Sequence, residues 1–197
     1  MFQLDNHESI IIDIINSIAT ENKLYNDLGQ ILKIQLLMKK LVIYTDGACL
    51  DNPGPGGYAA ILCYDDHCQE LSGGFRKTTN NRMEIMAAII ALESLHERHD
   101  VTILSDSRYL VNAMLLGWAK RWQKHGWRRN QRQMVQNPDL WERLLKVCER
   151  HEINFRWIKG HGNDPKNNRC DQLATEATAL PYLPEDYGYE NPPHRLL

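Results

Sequence analysis

The apolar positions of the chain fall into short β-rich runs and longer helical patterns. Leu41-Val42-Ile43-Tyr44-Thr45 is a strand-like run that ends at Asp46-Gly47. Asn52-Pro53-Gly54-Pro55-Gly56-Gly57 is dense turn chemistry, and Tyr58 to Tyr64 with Gln69 to Phe75 reads as a hairpin. Asn81 to Leu95 carries Ala, Met, Ile or Leu on most turns and predicts a helix. Val101-Thr102-Ile103-Leu104 predicts a second buried strand, ending at Ser105-Asp106-Ser107. Helices are expected over Ser107–Gly117, Leu140–His151 and Cys170–Ala179, with a strand over Ile153–Ile158 that ends at Lys159-Gly160-His161. Strands that first pair as a meander and then alternate with helices imply an α/β protein of the α+β type: a mixed sheet with helices packed on it.

That pattern occupies residues 38–180 and has two flanks. In residues 1–37, Ile11, Ile14, Ile15 and Ile18 fall at helical spacing, as do Leu24, Leu28, Ile31 and Leu32. Asn22 and Gly29 interrupt what is read as a pair of amphipathic helices. Five acidic against two basic residues give this flank a net −3 and leave the remainder at +1. The flank is read as an appendage or a mispredicted start, with Met38 the natural start of the compact domain. Residues 181–197 hold Pro181, Pro184, Pro192 and Pro193 and are expected to form an irregular or disordered tail.

Composition narrows the class. With 197 residues, 43% hydrophobic and 24% charged, the chain is neither wholly disordered, nor collagen-like, nor a polytopic membrane protein. No apolar run approaches the roughly 20 residues of a membrane span. Asp5, Glu8 and Asp13 stand where a secretory signal would have a basic start and an apolar core, so a cytoplasmic, reducing home is expected. The five cysteines form no CxxC pair and suggest no disulfide framework. Cys63 and Cys68, around Asp65-Asp66-His67, are read as incidental thiols at a hairpin turn rather than a metal knuckle. No oligomerisation stripe stands out beyond residues 1–37, which suggests a monomer.

The carboxylates carry the chemistry. Asp46 and Asp106 each follow an apolar strand, at the sheet edge where α/β proteins bind ligands. Two such anions side by side are costly unless a cation lies between them. Glu84 lies near the start of the Asn81–Leu95 helix, and Asp171 begins the last helix. Oxygen-only ligands select Mg²⁺ or Mn²⁺ over zinc. Taken singly, each residue has a plainer role: a turn or cap for the aspartates, a first-turn partner of the helix dipole for Glu84.

Six segments change that balance together: Tyr44-Thr45-Asp46-Gly47-Ala48-Cys49, Asn52-Pro53-Gly54-Pro55-Gly56-Gly57-Tyr58, Thr78-Thr79-Asn80-Asn81-Arg82-Met83-Glu84, Ser105-Asp106-Ser107, Trp157-Ile158-Lys159-Gly160-His161 and Arg169-Cys170-Asp171. In this order they resemble bacterial ribonuclease H of type 1 over essentially all of residues 39–190. The resemblance implies a five-stranded mixed sheet flanked by helices. It implies that Asp46, Glu84, Asp106 and Asp171 are metal-binding catalytic carboxylates and that His161 assists turnover from a loop. It implies hydrolysis of the RNA strand of RNA–DNA hybrids with one or two Mg²⁺ ions (Mn²⁺ as alternative), leaving 5′-phosphate and 3′-hydroxyl ends. Asn52 and Asn81 match positions that contact the hybrid, and Thr79 and Asn80 resemble a pocket for a DNA phosphate. Arg108 stands where many members carry Gln. The loop Gly162–Asn168 departs from the family, and its Lys166 and Asn168 make the metal vicinity less negative.

A local charge pattern adds a substrate-binding expectation. No acidic residue lies between Asp106 and Asp139, whereas Arg108, Lys120, Arg121, Lys124, Arg128, Arg129 and Arg132 do. Trp118, Trp122 and Trp127 are interleaved with them. Basic residues that neutralise phosphates, with aromatics packing on sugars or bases, read as a nucleic-acid patch, and the resemblance places a basic handle here. Three rival readings remain at this point: a non-catalytic hybrid-binding module, a transposase-like nuclease or 3′ exonuclease of related fold, and a ribonuclease H of type 2.

Overall fold

The computed structural model describes residues 40–64, 67–160 and 162–192. The helices expected in residues 1–37, the end of the tail and His161 lie outside the described residues. The ordered elements are β1 (Lys40–Cys49), β2 (Gly54–Tyr64), β3 (His67–Thr78), α1 (Asn80–Glu93), β4 (Asp100–Ser105), α2 (Arg108–Leu115) and α3 (Trp118–Lys124). They continue with β5 (Arg128–Asn130), β6 (Gln133–Met134), α4 (Pro138–Cys148), β7 (Glu152–Trp157), α5 (Pro165–Ala177) and α6 (Tyr187–Glu190).

Five strands form one mixed sheet in the order β3-β2-β1-β4-β7. β1 is antiparallel to β2 and parallel to β4, and β4 is parallel to β7. The period-two pattern of β1 sends Leu41 and Ile43 into the larger apolar cluster, which α1, α2 and α4 complete. Tyr44 and Ala48, on the opposite face, pack with Ala59, Ile61, Cys170, Leu173 and Ala174 beneath α5. α1 is apolar on nearly every side, with Met83 through Ile89 buried in sequence, which makes it the central helix of the larger cluster. Each fully buried Ile or Leu there contributes about 1.5–3 kcal/mol relative to exposure.

Three elements depart from the sequence reading. β1 runs through Asp46-Gly47 to Cys49, and β2 begins at Gly54 within the stretch read as turn; the turn itself occupies residues 50–53. Asp and Gly are poor strand formers, but the antiparallel register from Val42↔Cys63 to Cys49↔Gly56 supplies the ladder. α5 starts at Pro165 rather than Cys170: the Asp164 side chain accepts hydrogen bonds from the Lys166 and Asn167 amides, and Pro165 fills the first helical turn. Asp171 therefore sits inside the helix and does not open it.

The third departure concerns Cys63 and Cys68. They oppose each other across β2 and β3 with Cα atoms 4.1 Å apart, and the structure joins them as a disulfide. The reading as incidental thiols is corrected by this register: only cross-strand pairing, not spacing in the sequence, brings the two sulfurs together. In a reducing compartment the same register leaves two facing thiols.

The tail is largely irregular after Ala177, yet it is fastened to the domain. The Arg76 amide donates to the Pro184 carbonyl, and the Arg76 guanidinium pairs with Glu185 and Glu190. Asp186 is buried. Among the described residues, no helix is long and apolar enough to cross a membrane.

Candidate active site

The last rungs of the parallel ladder are Thr45↔Ser105 and Ser105↔Trp157. Asp46 and Asp106 are each the next residue, so they stand side by side at the same level, Asp46 still within β1 and Asp106 just past β4. Beyond that level β1 pairs only with β2, which opens the sheet above β4. Ser105 and Ser107 fix the turn that carries Asp106: the Ser107 amide donates to Ser105 Oγ at 3.1 Å, and Ser107 Oγ accepts from the Leu110 amide to cap α2.

α1 delivers the third carboxylate. It crosses β1 at Gly47, where a Cβ would lie 2.4 Å from the Glu84 nitrogen and 2.6 Å from the Met83 carbonyl carbon. Only glycine permits that approach. It places Glu84 under the protein, 5% exposed, rather than on a solvent-facing first turn. One carboxylate oxygen from each of Asp46, Glu84 and Asp106 lies within 4.8 Å of the others.

The electrostatics of this cluster are unfavourable without a cation. Asp46 Oδ1 accepts from the Gly47 amide at 2.7 Å, yet burial and then the charge of Asp106 push its carboxyl up to about 7. Burial, followed by Asp46 and Asp106, pushes Glu84 well above the usual carboxylate range. Asn80 Nδ2 donates to Glu84 Oε1 at 3.4 Å, while Glu84 Oε2 is buried with no hydrogen-bond partner among the described residues. Asp171, from α5, adds its negative charge to both Asp46 and Glu84 but stands outside the tight group of three.

The chain, over most of its length, is similar to known proteins. The sequence profile of the RNase H family matches residues 38–179. The chain belongs to the RNase H family. It is 58% identical over 151 residues to a ribonuclease H of Syntrophus aciditrophicus, covering 77% of this chain and 87% of that one. It is 53% identical over 138 residues to a ribonuclease HI of Synechocystis, covering 70% and 86%. Among solved structures it resembles LC9-RNase H1, described as a type 1 RNase H with the type 2 active-site motif, with a TM-score of 0.64, 27% identity and 72% of each chain covered.

The other residues singled out in this RNase H family chain divide by location. Asn52 accepts from the Asn80 amide through Oδ1 at 3.1 Å, which ties the turn before β2 to the first turn of α1. Thr79 is the N-cap residue of α1, with no side-chain capping bond, and Asn81 is exposed beside it. Arg108 is exposed at the start of α2, its guanidinium 4.3 Å from the Trp157 ring centroid. Lys120, Arg121 and Lys124 are exposed on α3, and among the described residues none of them is ion-paired.

Trp118, Trp122 and Trp127, expected from the sequence to contact nucleic acid, also serve the core. All three are half-buried against the larger core cluster, and Trp122 meets Trp118 and the buried Trp141 at 6.2 and 5.8 Å between ring centroids. They pack the basic segment onto the domain and remain partly exposed.

Trp157 was missed. Its Nε1 donates to the Asp106 carbonyl at 3.0 Å while its ring supports Arg108. A tryptophan closing an edge strand, one residue before Ile158 and Lys159, was the available signal. The same loop reaches the cluster at Gly160, where a Cβ would meet Asp106 Oδ2 at 2.1 Å.

Proposed function

We propose that the chain is an endonuclease that hydrolyses the RNA strand of RNA–DNA hybrids, leaving 5′-phosphate and 3′-hydroxyl ends. The observation that carries this reading is the buried group of Asp46, Glu84 and Asp106 at the end of the parallel strands, in a chain of the RNase H family. The donors suit a hard divalent cation: all are carboxylate oxygens, they repel one another, and Glu84 Oε2 is a buried acceptor with no donor among the described residues. Mg²⁺ is the proposed metal, with Mn²⁺ as a substitute. When bound, divalent ions supply charge neutralisation at phosphorus, an acidified water and stabilisation of the leaving oxygen.

Asp46, Glu84, Asp106 and Asp171 are the proposed ligands. The Gly47 amide and Asn80 Nδ2 each hold one oxygen of Asp46 and Glu84, leaving the second oxygen for the cation. His161 is proposed to move a proton during turnover, as its side-chain type titrates near neutrality. Asn52, Thr79, Asn80 and Asn81 line the hybrid near α1, where the helix N-terminus favours a phosphate. Arg108, held flat by Trp157, faces the same substrate from α2. The enzyme is proposed to act as a cytoplasmic monomer.

The exposed basic residues of α3 bind a second stretch of the duplex. Charge reversal at Arg121 and Lys124 together is expected to raise KM at least about tenfold at 0.1 M salt and to leave kcat within about threefold. The slope of log Kd against log salt is expected to flatten by roughly one for each phosphate that is no longer neutralised. Steady-state kinetics on a labelled hybrid, repeated across a salt series, measures both. Unchanged hybrid affinity would remove the handle from the account, and failure of the wild type to cut RNA in the hybrid would remove the reaction.

A further inference from the structure

The tail beyond α5 reaches back to the entrance of α1. Asp186, 3% exposed, lies where an irregular tail would be expected to leave a carboxylate in solvent. Its Oδ2 accepts from Thr78 Oγ1 at 2.7 Å and from Arg82 Nε at 2.7 Å. Its Oδ1 accepts from Arg82 Nη2 at 2.8 Å and from the Tyr189 amide at 3.3 Å. Thr78 and Arg82 are themselves buried, at 0% and 2%. They bracket Thr79, Asn80 and Asn81. One carboxylate therefore clamps both ends of the tripeptide in which the hybrid-cleaving reading assigns Thr79 and Asn80 to a DNA phosphate and Asn81 to a hybrid contact.

We propose that Asp186 is a positioning residue for the substrate: by holding Thr78 and Arg82 it fixes the Thr79–Asn81 turn that grips the DNA strand. The proposal rests on the hybrid-cleaving reading. Thr78 ends β3 and Arg82 lies in the first turn of α1, so the clamp spans the joint between strand and helix. The Arg82 amide bonds the Thr79 carbonyl within the same turn. Without the clamp, the joint between β3 and α1 loses the side-chain bonds that fix its two ends. Glu84 has a separate anchor in the close approach of Gly47 to the Met83–Glu84 backbone, so the effect falls on binding rather than on the chemical step.

The network also supplies its own control. Arg82 pairs on its other side with Asp139, through Nη1 at 2.9 Å and Nη2 at 2.7 Å, and among the described residues Asp139 makes no bond to Thr78. Asp139→Asn weakens the second partner of the same arginine and leaves the bonds of Asp186 to both Arg82 and Thr78 in place. The test compares Asp186→Asn, Thr78→Val and Asp139→Asn with wild type on a labelled RNA–DNA hybrid, at a temperature where circular dichroism shows every variant folded. A second set of hybrids carries a neutral methylphosphonate at one DNA-strand position at a time.

Asp186→Asn and Thr78→Val are expected to raise KM about tenfold, the effect of weakening one charged phosphate interaction, with kcat within about threefold. Asp139→Asn is expected to keep the wild-type KM. One methylphosphonate position is expected to raise KM for wild type and to leave KM of Asp186→Asn unchanged. The same methylphosphonate penalty in Asp186→Asn as in wild type would overturn the proposal. So would an unchanged KM in Asp186→Asn and Thr78→Val, or an equal rise in Asp139→Asn. Wild type that leaves the hybrid intact would overturn the reading beneath it instead.

Discussion

Asp46→Asn is expected to lower kcat on an RNA–DNA hybrid by about 10³-fold or more, while KM changes by only a few fold. The several kcal/mol that divalent-ion catalysis supplies depend on an anionic cluster, and Asp46 is coupled to every other member: it feels both Asp106 and Asp171 and adds its own charge to Glu84. The proposed hybrid contacts of Asn52, Thr79 and the basic helix are untouched, so affinity is expected to persist. The same substitution is expected to stabilise the metal-free protein. The Asp46 carboxyl sits at about 7 folded against an ordinary 3.8, so the folded state holds its proton more tightly than the unfolded state. Metal-free stability is therefore lost as pH rises from about 4 towards about 7, and Asn removes that loss. The gain at pH 8 in EDTA is expected to be about 2–4 kcal/mol. Urea unfolding of both proteins at pH 5 and pH 8, with EDTA and with Mg²⁺, measures it. Equal stability at pH 8 in EDTA would contradict the repulsive cluster.

Arg82→Ala is expected to cost about 3–5 kcal/mol of folding stability, the range for breaking a buried ion pair from one side. Burial opposes the charge of Arg82, but its bonds to Asp139 and Asp186 outweigh that and hold its pKa above the usual arginine value. Removing the guanidinium leaves Asp186 buried with the Thr78 hydroxyl and the Tyr189 amide alone. Asp139 is better placed to tolerate the change, since its side chain is 39% exposed. In a domain of this size the cost corresponds to a fall in Tm of about 10 °C. A destabilisation under about 1 kcal/mol in urea unfolding would show that the tail does not contribute to the cooperative fold.

The sequence carried the catalytic end of this molecule better than its periphery. Asp46 and Asp106 announced themselves because each follows a β-rich run, although β1 continues past Asp46 to Cys49. The placement of Glu84 was harder to read, since a glutamate near a helix start is ordinarily a solvent-facing partner of the dipole; the signal was Gly47, whose missing side chain admits α1. The start of α5 was misread because Pro165 through Arg169 has no apolar periodicity, and the capping Asp164 lies in a polar loop. Trp118, Trp122 and Trp127 looked like binding faces when read beside their basic neighbours. They also pack on the core, Trp122 against Trp141, which is distant in sequence and invisible to a local pattern. Asp186 left no trace at all: one buried carboxylate in a proline-rich tail has no period, and its partners lie 104 and 108 positions away.

The most direct test is cleavage of a labelled RNA strand presented in an RNA–DNA hybrid, alone, and in duplex RNA, with Mg²⁺ and with EDTA. The account predicts cutting of the RNA in the hybrid only, complete dependence on the divalent ion, and fragments with 5′-phosphate and 3′-hydroxyl ends. A folded protein that binds the hybrid and leaves its RNA intact in Mg²⁺, or that cuts the three substrates alike, would contradict it.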